Sequence, residues 1–175
     1  VWLLPIITIL TIIFVRNKKI GITMIVNLGC ITTLNLFLKN IVQRPRPDGY
    51  RLIFESGYSF PSGHSMVSTA FYGLIIYFVF VNIKQKRWKY FLSGFLGILI
   101  LTISFSRVYL GVHYASDVIA GFLISIVHLI CFITIYEKLE ENGKLKKENL
   151  NKEKKRLINS FKYAIAGFVP AYKKE

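Results

Sequence analysis

The chain has 175 residues, 53% of them hydrophobic and 18% charged, with a formal net charge of +14. That length suits one domain, and 14 Phe, 10 Tyr and long Ile/Leu/Val runs exclude a largely disordered chain. The two cysteines, Cys30 and Cys131, each sit inside an apolar run, which excludes a disulfide-stapled fold and predicts buried free thiols.

Five apolar stretches follow in chain order, at residues 1–15, 20–38, 65–83, 90–105 and 118–136. A membrane-crossing helix takes about 20 apolar residues. The second, third and fifth stretches meet that length, and the fourth meets it only if its helix runs on into the following loop. The first is cut short: the chain starts at Val1 rather than Met, so at least one upstream helix is expected to be missing. No signal-peptide pattern is visible. The expected fold is all-α, a polytopic membrane helical bundle with five helices visible. Residues 1–136 form the transmembrane domain and residues 137–175 a basic tail. Within the tail, 137–156 is rich in Lys, Glu and Asn and reads as a solvated helix or a partly disordered segment. Residues 160–172 turn apolar again, too short to span, and suit the membrane interface or the start of a further helix.

Charge follows the connections. Eighteen of the 23 Lys and Arg fall between the first and second stretches, between the third and fourth, or in the tail. All of these lie on one side of an alternating topology, which the positive-inside rule assigns to the cytoplasm. A +14 chain suggests a nucleic-acid binder, but charge that tracks membrane sidedness argues against one. Trp88 and Tyr90 then flank one interface, and Tyr50, Tyr58, Tyr109 and Tyr114 the other.

The opposite face carries Lys39, Arg44, Arg46, Arg51 and Arg107. Lipid-headgroup contact accounts for Arg44 and Arg51. Lys39, Arg46 and Arg107 together need a further reason, because cations are otherwise depleted there. Arg46 stands between two prolines that stiffen its backbone, and Arg107 closes the fourth helix where a cation suits the dipole. On the same face, Ser62 is a candidate N-cap before an apolar helix, and Gly63 lets backbone approach a ligand closely. Free N–H groups at such a helix start favour an anion, with His64 beside it. His113 and Asp117 are four apart, so Asp117 can accept from one ring nitrogen and leave the other as base or nucleophile. His128 lies inside a helix and reads as packed or partnered. Two histidines, a carboxylate, three cations and a helix N-terminus are the set that phosphoryl transfer uses. No residue cluster has metal-ligand spacing, so no metal or other cofactor is required.

Lys39-x6-Arg46-Pro47, Pro61-Ser62-Gly63-His64 and Ser106-Arg107-x5-His113-x3-Asp117 together resemble the three-part signature of the type 2 phosphatidic acid phosphatase (PAP2) superfamily. The resemblance spans residues 1–136. It implies a PAP2/haloperoxidase-like bundle of six transmembrane helices, with a metal-independent site at the extracytoplasmic surface of the plasma membrane. By position it makes His113 the nucleophile of a phosphohistidine intermediate, Asp117 its orienting partner and His64 the proton donor to the leaving group. Lys39, Arg46, Ser62, Gly63 and Arg107 would bind the phosphate. Ser106 matches the signature without a defined role, and Ala115 stands where many bacterial members have Pro. The implied substrates are lipid phosphates: undecaprenyl diphosphate, phosphatidylglycerol phosphate or phosphatidic acid. A vanadium-dependent haloperoxidase is soluble, which five apolar stretches oppose. A non-catalytic lipid-phosphate binding or transport protein is the alternative, and the intact His64, His113 and Asp117 set opposes it.

Overall fold

The computed structural model describes residues 18–49 and 51–171, with side chains through residue 159; the apolar stretch at 1–15, Tyr50 and the side chains of 160–172 lie outside it. The described residues form four helices: α1 (Lys18–Val42), α2 (Gly63–Asn82), α3 (Lys86–Tyr109) and α4 (Ala115–Ala171). Each contains a segment long and apolar enough to cross a membrane. At 1.5 Å per residue, even the 20 residues of α2 reach about 30 Å, the thickness of a hydrocarbon core. The 90–105 stretch reaches spanning length because its helix extends at both ends, to 24 residues.

Helix α2 is the centre of the bundle. Its Phe71 and Leu74 pack with Met24 of α1 and Leu129 of α4, and its Met66, Val67 and Ala70 with Ile31 of α1. Small residues permit this close packing. A Cβ at Gly121 of α4 would come within 3.1 Å of the Ser62 carbonyl and 3.2 Å of Met66 Cγ. Many polar groups inside the bundle pair with one another, as a bilayer favours, while the hydroxyls of Thr69, Ser93 and Ser104 are buried without a hydrogen-bond partner. Asn27 donates to the Ala70 carbonyl at 2.9 Å and lies 2.9 Å from His128 Nε2, so His128 is partnered, as expected. Ser125 donates to the Met66 and Gly121 carbonyls. Thr23, Thr33, Asn82 and Thr102 turn back onto carbonyls four residues earlier.

The outward faces are apolar: Ile22, Ile25, Phe37, Phe95, Ile98, Phe105, Leu123 and Ile130 are all exposed. Cys30 and Cys131 lie on these faces as well. They are free, as expected, but exposed rather than buried, because a membrane helix presents apolar residues outward as well as inward.

The chain divides into two compact units, Val1–Ile133 and Thr134–Glu175. In the second, the backbone is helical through Ala171, and residues 141–159 are all exposed. A Lys152–Glu148 pair at 2.8 Å, one turn apart, supports the helix there. This is the solvated helix of the two readings the sequence allowed.

Candidate active site

Two connections, α1 to α2 and α3 to α4, deliver the site residues, and local chemistry shapes the helix ends that bound them. Helix α1 ends where Gln43 takes a left-handed φ of 48° and its N–H returns to the Lys39 carbonyl at 3.0 Å. Arg44 and Pro45 then forbid further helix. Helix α2 begins at Ser62, whose Oγ accepts from the Ser65 N–H at 3.5 Å, the cap expected from the sequence. Helix α3 closes in a Schellman motif: Gly111, at φ 72°, donates to the Val108 carbonyl (2.9 Å), and Val112 to that of Arg107 (3.3 Å). That reversal carries His113 back toward α2. The Ser62 N–H, donating to the Asp117 carbonyl at 3.1 Å, ties the starts of α2 and α4 together.

Arg46 organises the irregular segment between α1 and α2. Its Nε donates to the Gly57 carbonyl (3.0 Å), Nη2 to Ser56 (3.1 Å) and Nη1 to Val112 (2.9 Å). Nη1 also pairs with Glu55 Oε2 at 3.0 Å, in a side chain only 8% exposed. Lys39 donates to the Tyr58 carbonyl. The expected phosphate ligands Lys39 and Arg46 thus also hold the loop's own carbonyls. Arg107 Nη1 lies 3.4 Å from Glu55 Oε1, and its Nε donates to Ser106 Oγ at 3.2 Å. That contact gives Ser106, which matched the signature without a role, a place in the structure.

His113 is 3% exposed. Its Nε2 faces Arg46 Nη1 at 3.4 Å, and its Nδ1 faces Ser59 Oγ at 3.4 Å. Asp117 Oδ2 lies 3.7 Å from Nδ1, beyond a hydrogen bond, so the direct Asp–His contact expected from their spacing is replaced by Ser59. The Ser59 hydroxyl donates to Asp117 Oδ2. With its one hydrogen spent there, Ser59 can only accept from His113, which places the imidazole hydrogen on Nδ1 and the lone pair on Nε2. Burial, then the positive fields of Arg46 and Lys39, lower the His113 pKa to about 4, against an upward pull from Asp117 and Glu55. The imidazole is therefore neutral near pH 7.

Asp117 is fully buried, and its partners explain how. Arg44 pairs with Oδ1 at 2.8 Å, Ser59 donates to Oδ2, and the Tyr114 N–H reaches Oδ2 at 3.1 Å. Arg44 also contacts Ser116 Oγ and lies 4.0 Å over the Tyr114 ring. The headgroup assignment of Arg44 is thereby corrected: it neutralises the carboxylate behind His113. Arg51, assigned likewise, bonds the Pro47 carbonyl at 2.6 Å and pairs with Asp48 at 3.3 Å.

Lys39, Arg46, Gly63, His64 and His113 line one cleft of about 310 Å³, with Glu55, Asn35 and the apolar Leu36 and Val67. Ser62 is fully buried and bonded to Ser65 Oγ at 3.1 Å, so it acts on the cleft through the helix start it caps. Four residues of the site escaped the sequence reading: Arg44, Glu55, Ser59 and Asn35. Glu55 did carry a weak signal, as one of three acids, with Asp48 and Asp117, on a face rich in cations. Asn35, buried one turn before Lys39, donates to the Pro61 carbonyl at 3.3 Å. Among the described residues, no group of three or more His, Cys, Asp or Glu is placed to hold a metal.

Residues 19–141 match the PAP2 superfamily. The chain belongs to the PAP2 superfamily. It is 38% identical over 132 residues to phosphatidylglycerophosphatase B of Bacillus subtilis strain 168, covering 72% of this chain and 64% of that one. To the undecaprenyl-diphosphatase of Sulfolobus acidocaldarius it is 32% identical over 148 residues, covering 81% and 65%. The chain thus spans just under two thirds of these relatives' lengths. Its fold is similar to the crystal structure of a transmembrane PAP2-type phosphatidylglycerolphosphate phosphatase from Bacillus subtilis, with a TM-score of 0.68 at 33% identity over 78% of this chain and 68% of that one. It is also similar to LpxE of Aquifex aeolicus, with a TM-score of 0.61 at 25% identity over 76% and 77%. With its apolar helices, this PAP2 chain is a multi-pass membrane protein.

Proposed function

We propose that this PAP2 chain is a membrane-embedded lipid phosphatase that works through a phosphohistidine. His113 Nε2 attacks phosphorus, forming an N–P bond as the P–O bond to the leaving alcohol or phosphate breaks. His64 gives its proton to the departing oxygen and then takes one from the water that hydrolyses the N–P bond, releasing inorganic phosphate and restoring both histidines. Lys39, Arg46 and Arg107, with the N–H groups at the Ser62–Gly63 helix start, stabilise the charge on the equatorial oxygens. Asp117 acts behind His113, and the imidazolium character gained in the attack is offset through Ser59.

The observation that supports this reading is the neutral His113, its Nε2 lone pair beside Arg46, in a cleft shared with His64 and Lys39. The apolar wall of Leu36 and Val67 suits the first carbons of a lipid. The named relatives favour phosphatidylglycerol phosphate and undecaprenyl diphosphate as substrates, with phosphatidic acid third. The charge pattern supports a site on the extracytoplasmic face of the plasma membrane, with residues 1–136 as the phosphatase domain and the basic tail in the cytoplasm.

The test follows phosphate release from these three lipids by the full chain in detergent, with chelator present, beside His113→Ala. Release from one lipid, lost in the variant and indifferent to chelator, is the expected result. Release that survives His113→Ala overturns the mechanism.

A further inference from the structure

Glu55 contradicts the charge logic of the cleft. It is a carboxylate that lines the cleft with Lys39 and Arg46 and pairs with Arg107 behind it, where a bound phosphate would meet it as one anion meets another. Its two oxygens bridge two guanidiniums, Oε2 to Arg46 at 3.0 Å and Oε1 to Arg107 at 3.4 Å. A phosphate bound by the same pair would use two of its oxygens in this way. The other contacts of Arg46 are not exchangeable. Three of its five N–H groups serve the carbonyls of Ser56, Gly57 and Val112, and withdrawing any of them would strand a backbone acceptor. The ion pair with Glu55 is a contact a phosphate can take without unmaking the loop, since Arg46 Nη1 otherwise faces Val112 and His113 Nε2 and a second Nη2 N–H remains beside Ser56. Glu55 is able to yield it: the carboxylate is 24% exposed, and its neighbours from 51 to 57 lie in no helix or strand.

We propose that Glu55 is a built-in competitor for the phosphate position and so determines which phosphates bind. It holds the Arg46–Arg107 pair until a phosphate displaces it, and retakes the pair as inorganic phosphate leaves. A monoester dianion or a diphosphate outcompetes a single carboxylate for two guanidiniums. A phosphodiester carries one negative charge and does not. Bulk membrane phospholipids are phosphodiesters surrounding the site in large excess, and Glu55 keeps their headgroups out of it. This inference rests on the phosphatase reading above.

The test titrates inorganic phosphate into the full chain in detergent by calorimetry, then measures how strongly phosphatidylglycerol, a phosphodiester, competes. Glu55→Gln removes the charge and keeps the shape. It is expected to bind phosphate about tenfold more tightly and to gain inhibition by phosphatidylglycerol that the unaltered chain lacks. Glu55→Asp, which withdraws the charge by one methylene, is expected to shift both values less in the same direction. Unchanged or weaker phosphate binding in Glu55→Gln, with the unaltered chain active, overturns the proposal and leaves the phosphatase reading standing. Failure of both variants to fold also overturns it, because a carboxylate the fold depends on cannot be displaced by each substrate. If the unaltered chain neither binds phosphate nor releases it from any of the three lipids, both readings fall together.

Discussion

At the scale of single residues, the proposed chemistry turns on how His113 is held. Its Nδ1 reaches Asp117 through the Ser59 hydroxyl, so Ser59 fixes the tautomer that presents the Nε2 lone pair, beside Arg46, for the proposed attack. Ser59→Ala should lower kcat about 10- to 100-fold with little change in KM, while Ser59→Thr, which keeps the hydroxyl, should recover most of the loss. Steady-state kinetics on the preferred lipid checks this, and a drop confined to KM would show that Ser59 touches substrate instead. The neutral His113 also makes a stability prediction. Its pKa in the folded chain is about 4, below the ordinary histidine value near 6.5. Between those values the unfolded chain binds a proton that the folded chain refuses, so stability rises with pH across the window and is lost as pH falls through it. The contribution is up to about 3 kcal/mol, and thermal unfolding in detergent from pH 4 to 7 should show a shallower slope for His113→Asn.

Among the elements, the closing turns of the helices set the site geometry. Gly111 takes a left-handed φ of 72° because the Schellman turn after α3 demands it, and the two residues after it return the chain to the cleft. Gly111→Ala should destabilise the chain by about 1 kcal/mol or more and lower kcat, since His113 is displaced along with the turn. Paired thermal-unfolding and activity measurements check this. A stable variant of normal activity would mean that the turn adapts without moving His113. The start of α2 does the complementary work: Ser62 caps the helix inside the protein and leaves Gly63 and His64 at the cleft.

Over the whole molecule, polar side chains such as Asn27, Asn35, Ser65, Ser68 and Ser125 are buried, while large apolar residues cover the outside. That inversion suits a hydrocarbon solvent and bears on how sidedness is tested. A cysteine at Gly49 should react with an impermeant thiol reagent in intact cells, and one at Gln85 should not. Cys30 and Cys131 are exposed on their helices, so this mapping begins from a chain with both changed to serine. Labelling at Gln85 alone would reverse the proposed orientation.

The sequence by itself determined the helical membrane class, because apolar runs of spanning length and Lys/Arg-rich connections record the bilayer directly. It also marked His64, His113, Asp117, Lys39, Arg46 and Arg107, since their types and spacing are what phosphate chemistry requires. Only the tertiary structure decided which of the two arginines in Arg44-Pro45-Arg46-Pro47 serves which group. Both are cations on one loop, and whether each meets Asp117 or Glu55 depends on where α4 and the 51–57 segment lie in space. Ser59 and Glu55 were illegible for the same reason: one hydroxyl and one carboxylate in an irregular loop carry no periodicity, and their partners are 58 and 9 to 52 positions away. The inward faces of the helices were hidden too, because apolar residues cover both sides of a helix that meets lipid on one and protein on the other.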